Sequence, residues 1–154
     1  QKDIDGIYNA GTLNINGEIP EPATQGETPQ PIVYDGTVYV QNIDGTKDNG
    51  ETNIYGGVLS VKGDIIQKTL NVKNDADFSL MDWTGENTIN KVDVETFTIA
   101  DNARLYFDVD ADTTGEGGYL LSDRIIADTI TKNTETTANV SLGYINLFNT
   151  ISNV

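Results

Sequence analysis

The chain has 154 residues, which is enough for one domain with a buried core. Its 9 Lys and Arg against 24 Asp and Glu give a formal net charge of −15, which disfavours binding to nucleic acids and to anionic membrane surfaces. Cysteine and histidine are both absent, which excludes disulfides, thiolate or imidazole metal ligands and a Ser-His-Asp triad. No apolar run is long enough to predict a membrane span.

A short strand phrase recurs from the N-terminus onward. Each copy has two apolar residues two positions apart with a polar residue between them, which is the period of a strand with one buried face. Imperfect repetition of such a unit favours a solenoid, in which successive β rungs stack on one another. The copies are residues 11–16, 36–41, 57–62, 68–73 and 95–100.

Polar segments separate the first copies. Residues 17–31 contain all four prolines, and because proline donates no ladder hydrogen bond, this segment is predicted to be a loop that leaves the β core. Residues 42–53 are polar and contain several turn formers, and they are predicted to form a second loop. A third polar loop is predicted over residues 110–118.

Short runs of alternating apolar residues, which predict strands, are frequent in the rest of the chain. Polar corners are predicted at residues 62–64, 74–77 and 101–103. Residues 123–132 include the β-branched Ile125, Ile126 and Thr129, so we interpret them as a strand and not as a helix. The other short alternating runs are residues 54–61, 65–72, 78–81, 89–94, 97–99 and 105–109.

These elements predict a single all-β domain over residues 1–154. Its rungs carry long loops in residues 1–53 and are more regular in residues 54–154. The predicted fold is a right-handed parallel β-helix, or a fragment of one. The alternative is a β-sandwich. Strand pairing separates the two folds, since stacked turns pair in parallel and a sandwich pairs mostly antiparallel.

Three segments in the C-terminal half carry a resemblance. Leu105-Tyr106-Phe107-Asp108-Val109-Asp110 is followed by Ser122-Asp123-Arg124-Ile125-Ile126-Ala127 and then by Val140-Ser141-Leu142-Gly143-Tyr144-Ile145-Asn146-Leu147. In this order the segments resemble the passenger region of bacterial autotransporters and related β-helical surface proteins.

The resemblance implies a slice of a longer extracellular or bacterial cell-surface protein with a structural or adhesive role. Its expected partners are a protein or glycan at a cell surface, or further copies of itself.

Asp108, Asp110 and Asp112 form an Asp-x-Asp-x-Asp run. In an extended segment these carboxylates share one face, so they are a candidate calcium site. The run departs from the EF-hand loop, because Thr113 replaces the turn glycine and Tyr119 replaces the bidentate glutamate. The alternative interpretation is a strand end with solvated acids. No other cofactor is expected.

Asp44, Asp48 and Glu51 form a further group of acids, which we interpret as a solvated loop.

Two other functions remain open. The first is a fibre-forming subunit that assembles end to end through exposed strand edges. The second is a polysaccharide-binding or polysaccharide-cleaving protein, in which Asp108 and Asp110 would be a carboxylate pair. Only one tryptophan, Trp83, is present to stack on sugars, and most tyrosines lie in or near predicted strands. We therefore expect a scaffold and not an enzyme.

Overall fold

A computed structural model of the protein describes residues 4–22, 24–82, 88–110, 121–133 and 141–148. Within these ranges the chain forms strands and turns and no helix, which confirms the all-β class. The strands are β1 (Ile7–Tyr8), β2 (Thr12–Ile15), β3 (Gly17–Glu18), β4 (Ile32–Val33), β5 (Thr37–Val40), β6 (Ile43–Asp44), β7 (Glu51–Ile54), β8 (Val58–Val61), β9 (Ile65–Val72), β10 (Asp77–Ser79), β11 (Lys91–Ala100), β12 (Arg104–Asp110), β13 (Leu121–Ser122), β14 (Arg124–Asn133) and β15 (Ser141–Phe148).

The strands form two main sheets and one short hairpin. Sheet 1 contains β1, β2, β6, β7, β9, β11 and β14, and sheet 2 contains β5, β8, β10, β12, β13 and β15. From β8 to β12 the chain alternates between the sheets at every strand. Of the twelve strand pairs within the described ranges, ten are parallel, and β3–β4 and β12–β13 are antiparallel. This pairing differs from the mostly antiparallel pairing expected of the sandwich alternative.

The repeated phrases lie in register with one another. Three copies lie in sheet 1, on β2, β9 and β11, and two lie in sheet 2, on β5 and β8. Their apolar residues contribute to one buried core. Burying each such side chain stabilises the fold by roughly 1.5–3 kcal/mol before entropy is counted. The aligned sets are Leu13–Thr52–Leu70–Phe97 and Ile15–Ile54–Val72–Ile99 in sheet 1, and Val38–Leu59 and Val40–Val61 in sheet 2.

The corners that follow sheet 1 share one backbone conformation. Asn16, Gly57, Asp75 and Asn102 have φ angles of 53°, 56°, 61° and 58°. This left-handed region is tolerated by Gly, Asn and Asp and penalised in most other residues. The corners predicted at residues 74–77 and 101–103 fall at these positions, and the corner at 62–64 separates β8 from β9.

The structure of segment 42–53 differs from the one predicted from the sequence. It was predicted to be a loop, but it contains β6 and β7, and both strands pair with β9. Only the connection between them is irregular. This segment is therefore one strand of sheet 1 that is interrupted by a short excursion.

The interruption is filled by Gln67 on β9, whose side chain is fully buried. Its Nε2 donates to the carbonyl oxygens of Asn9 at 3.1 Å and Asp44 at 3.2 Å. Its Oε1 accepts hydrogen bonds from Asn9 Nδ2 at 2.6 Å and Thr52 Oγ1 at 3.3 Å. A buried amide thus satisfies polar groups that would otherwise lack partners, which explains why a polar segment belongs to the core.

Other strand boundaries also differ from the predicted ones. The run 54–61 is divided between β7 and β8 at the Gly56–Gly57 corner, and the runs 89–94 and 97–99 join into β11. The segment 123–132 is a strand, β14, as predicted. The proline-rich segment leaves through β3 and returns through β4, and these two strands pair antiparallel at its base.

Candidate functional site

The predicted calcium ligands do not share one environment. Asp108 on β12 is fully buried, and Asp110 is only partly buried. Asp112 lies outside the described residues. In the described part of the chain, no three carboxylates are grouped so that they could hold a metal ion. Calcium binding by this run stays a prediction, which a calcium titration tests.

Asp108 instead binds backbone groups. Its Oδ2 accepts a hydrogen bond from the Asp82 N–H at 3.0 Å, and its own N–H donates to Asp123 Oδ2 at 2.6 Å. The Asp123 N–H donates to the Asp108 carbonyl oxygen at 2.9 Å. A carboxylate with no exposed surface cannot reach a polysaccharide without local opening, which weakens the hypothesis of an Asp108–Asp110 catalytic pair.

Asp82, Asp108 and Asp123 form an acid cluster, in which Asp108 and Asp123 are buried and Asp82 is partly buried. Asp123 is 4% exposed, and its Oδ1 accepts a hydrogen bond from the Asn90 N–H at 2.8 Å. Burial raises the pKa of Asp123 to about 7; the N–H groups of Asp108 and Asn90 oppose this shift, while the charges of Asp108 and Asp82 add to it. Burial also raises the pKa of Asp82. The cluster joins the segments before β11 and β14 to β12.

Asp82 and Asp123 were not predicted from the sequence as members of this cluster. One sequence feature points to Asp123: an aspartate placed directly before a strand of sheet 1. Asp64 directly precedes β9, and its Oδ1 accepts a hydrogen bond from the Lys91 N–H at 2.8 Å. Asp123 directly precedes β14 and binds the Asn90 N–H in a similar way. An aspartate immediately before a sheet 1 strand thus indicates a carboxylate that binds the backbone of the neighbouring turn.

The second group of acids makes separate local contacts. Asp44 Oδ2 accepts from Asn42 Nδ2 at 2.6 Å, and Glu51 Oε1 accepts from Asn53 Nδ2 at 2.7 Å. Asp44 and Asp48 are exposed. Asp44 and Asp48 are thus solvated as interpreted, but Asp44 lies on β6 and the partly buried Glu51 lies on β7, so the three acids do not form one loop.

A cleft lies beside the hairpin formed by β3 and β4. Tyr34 is 50% exposed, and its hydroxyl donates to Glu18 Oε1 at 3.0 Å. This hydrogen bond, with the charge of Glu18, raises the pKa of Tyr34. Lys73 Nζ lies 5.7 Å from the centroid of the Tyr55 ring, within the range of a cation–π contact. The cleft has a volume of about 550 Å³ and is lined by Val33, Tyr34, Asp35, Tyr55, Gly56, Gly57, Asn74 and Asp75.

A second depression, which we call the tyrosine trough, lies on the outer face of sheet 2. Its volume is about 290 Å³. Tyr39, Ser60, Ser79 and Tyr106 form one row across four neighbouring strands, since each is in register with the next. The lining residues are Thr37, Tyr39, Val58, Ser60, Ser79, Met81 and Tyr106.

The Tyr106 side of the trough is braced by an ion pair. Arg104 donates from Nε and Nη2 to the two carboxylate oxygens of Asp77, each at 2.9 Å. The Tyr106 hydroxyl lies 3.4 Å from Asp77 Oδ2. Such a two-pronged pair fixes both side chains, so Tyr106 stands beside a rigid support.

No helix in the described ranges has the length and hydropathy needed to cross a lipid bilayer. Comparison with protein-family models, with curated proteins and with solved structures finds no match for this chain. The functional interpretation therefore rests on the chain's own geometry.

Proposed function

We propose that this chain is a non-catalytic, extracellular segment of a bacterial surface or secreted protein, with a structural or adhesive role. We propose further that its two sheets are the faces of a right-handed parallel β-helix. The observation that carries the proposal is the in-register stacking of the repeated phrases on parallel strands of two sheets. Right-handed crossovers are the rule for parallel strands joined within one sheet.

Side-chain stacking outside the core supports the same arrangement. Asn53 Nδ2 donates to Asn14 Oδ1 at 3.2 Å, and Asn71 Nδ2 donates to Asn53 Oδ1 at 2.8 Å. These three asparagines occupy matching positions on β2, β7 and β9. Ladders of identical amides are typical of structures that repeat along one axis. A scaffold of this kind presents loops and grooves at fixed spacing.

The absence of cysteine makes the stacking directly testable. Asn71 and Thr98 are opposite one another on β9 and β11. Neighbouring strands lie about 4.8 Å apart, which is compatible with a disulfide. The double variant Asn71→Cys/Thr98→Cys is expected to form an intramolecular disulfide on mild oxidation. A control pair, Asn71→Cys/Asp93→Cys, is not in register and should stay reduced. Equal oxidation of both pairs would contradict the stacking.

Adhesion is tested with the intact chain coupled to beads. The beads are expected to bind cultured epithelial or bacterial cells more than albumin-coated beads do, and free chain should compete. Pretreatment of the cells with protease or periodate then separates a protein partner from a glycan partner. Absence of competed binding on every surface, or release of reducing sugar from a polysaccharide panel, would overturn the proposed function.

A second candidate function is end-to-end assembly into fibres. Among the described strands, β14 lies at the end of the sheet 1 order, and Ile130 on β14 is in register with Phe97 yet 65% exposed. An exposed apolar residue on a terminal strand favours pairing with another copy. Four strand spacings span only about 19 Å, so a long particle requires further turns or copies. Electron microscopy with light scattering over a concentration series tests assembly; particles of monomer mass at all concentrations would exclude it.

A further inference from the structure

The tyrosine trough differs in charge from the cleft beside the β3–β4 hairpin, which is lined by Asp35 and Asp75 among others. Its described lining residues carry no formal charge, although the chain has a net charge of −15. The nearest ion pair, Asp77 with Arg104, is internally neutral. A site without net charge offers no Coulombic attraction to an anion or a cation, so it favours a neutral ligand.

The shape of the trough follows from the strand register. Tyr39 and Tyr106 stand on β5 and β12, and the two strands between them carry serines at the same position. Three strand spacings separate the tyrosine positions by about 14 Å. Ser60 and Ser79 are 5% and 8% exposed. The two tyrosines form the high sides of the trough, and the two small serines form its floor, so a channel lies between the aromatic side chains.

The chemistry of the lining matches a sugar. Tyrosine faces are apolar and rigid, and they carry a polar hydroxyl at one end. Thr37, Ser60 and Ser79 are hydroxyl residues that line the same channel. Ser79 Oγ accepts a hydrogen bond from the Met81 N–H at 3.2 Å, and a serine hydroxyl that accepts one bond can still donate another. A pyranose ring has complementary features, since it presents an apolar C–H face and a rim of hydroxyl groups.

We propose that the tyrosine trough binds a neutral glycan, with sugar rings stacked against Tyr39 and Tyr106 above the serine floor. The site has no part in bond cleavage. The proposal rests on the proposed function, because it names the ligand class through which this surface would adhere. It does not involve Asp108 or Asp110, which the sequence analysis considered for polysaccharides.

The test is a titration of the isotope-labelled whole chain, followed by amide and tyrosine-ring NMR signals. The probes are cellohexaose, mannohexaose and maltohexaose, with hexagalacturonate as the anionic comparison and chitosan hexamer as the cationic one. At least one neutral probe is expected to shift the signals of Tyr39, Ser60, Ser79 and Tyr106, more strongly than either charged probe. The absence of any saturable shift at the trough with neutral probes at about 10 mM would overturn the proposal.

Variants separate stacking from mere surface contact. Tyr39→Ala and Tyr106→Ala are each expected to weaken binding by about tenfold or more. Tyr106→Phe should bind within about threefold of the original chain, because it keeps the ring face. The matched control is Tyr8→Ala, since Tyr8 is 71% exposed on β1 in sheet 1; it should leave affinity unchanged. Equal affinity in both trough variants would contradict the proposal.

One variant blocks the trough without removing a rim. Thr37 is exposed at the start of β5, so Thr37→Arg is expected to leave the fold intact and reduce glycan affinity severalfold. This variant keeps the test decisive if the alanine variants unfold. A neutral peptide such as (Gly-Ser)₄ that saturates the trough while sugars do not would overturn the glycan assignment. Bead adhesion that persists without glycan binding would overturn this inference alone, and loss of all competed adhesion would overturn the proposed function.

Discussion

Apart from the β3–β4 hairpin, the early strands before β8 and the late strands after it belong to the same two sheets but are held together differently. In sheet 1, the early strands β1, β2, β6 and β7 have 2 to 4 residues, whereas β9 and β11 have 8 and 10. The late strands of sheet 1 rely on uninterrupted apolar ladders. The early strand of sheet 1 formed by β6 and β7 is interrupted, and the buried amide of Gln67 bridges the interruption. A stacked β structure can therefore accept an excursion where a polar side chain replaces the missing ladder bonds.

The largest effect is expected from breaking an apolar ladder. Leu70 is fully buried and lies between Thr52 and Phe97 in register. Leu70→Ala should lower the free energy of unfolding by about 3 kcal/mol, because a cavity forms that the stack cannot close. Urea denaturation measures the change. The control Lys68→Ala, at an exposed position of the same strand, should change it by less than about 0.5 kcal/mol; equal losses in the two variants would show that the ladder is not the main source of stability.

Removing the buried amide of Gln67 tests whether the early strands unfold separately from the late strands. Gln67→Leu leaves the Asn9 amide and the Asp44 carbonyl without this partner, which should cost about 2 kcal/mol. Hydrogen exchange should accelerate at β1, β6 and β7 while the centre of β11 stays protected. The same change at exposed Gln30 is the control. Uniform acceleration over all strands would mean that the two regions unfold as one unit.

The acid cluster predicts a pH dependence that belongs to the late strands. Because the pKa of Asp123 rises from 3.8 to about 7 on folding, the folded chain holds this proton more tightly than the unfolded chain does. Its contribution to stability is thus fully present below about pH 4 and is lost as the pH rises through about 7. Between about pH 4 and pH 7 we expect the loss of this contribution to lower the Tm by several degrees.

Asp123→Asn should remove that component, so the difference between the Tm curves of the two proteins isolates it. The groups facing Asp123 are Asp108 and Asp82, whose charges also favour its protonated form. The control Asp128→Asn changes a carboxylate whose side chain is 65% exposed. A difference curve that is flat with pH, or equal to that of the control, would contradict the assignment.

The smallest effect concerns the corners that both regions share. Asp75 has a φ of 61° and is exposed. Asp75→Ala should lower stability by about 1 kcal/mol, because alanine is penalised in the left-handed region. Asp75→Gly should stay within about 0.5 kcal/mol of the original chain, since relief of strain and extra freedom of the unfolded chain oppose each other. Calorimetry distinguishes the two; equal losses for both would assign the effect to the lost carboxylate and not to the backbone.

Periodicity predicted much of the fold. The segment 65–72 coincides with β9, and the all-β class is confirmed, because alternating apolar residues have one simple way to be buried. The segment 42–53 was misassigned because its Asp44 carbonyl and Thr52 hydroxyl are satisfied by Gln67, which lies more than a dozen positions beyond the segment. Local composition cannot reveal such a partner. For the candidate site, the sequence did not predict the contacts among Asp82, Asp108 and Asp123, since they come from segments that are far apart along the chain and adjoin only in the folded structure.

The repeated strand phrase, the left-handed corner residues and the exclusion of histidine and cysteine chemistry are determined by the sequence itself, because each depends on residue type and short spacing. The tertiary structure decided which copies pair, which acids are buried and where an uncharged trough opens between Tyr39 and Tyr106. Those features depend on register between strands that are distant along the chain. A shift of one residue in that register would turn each side chain to the opposite face of its sheet.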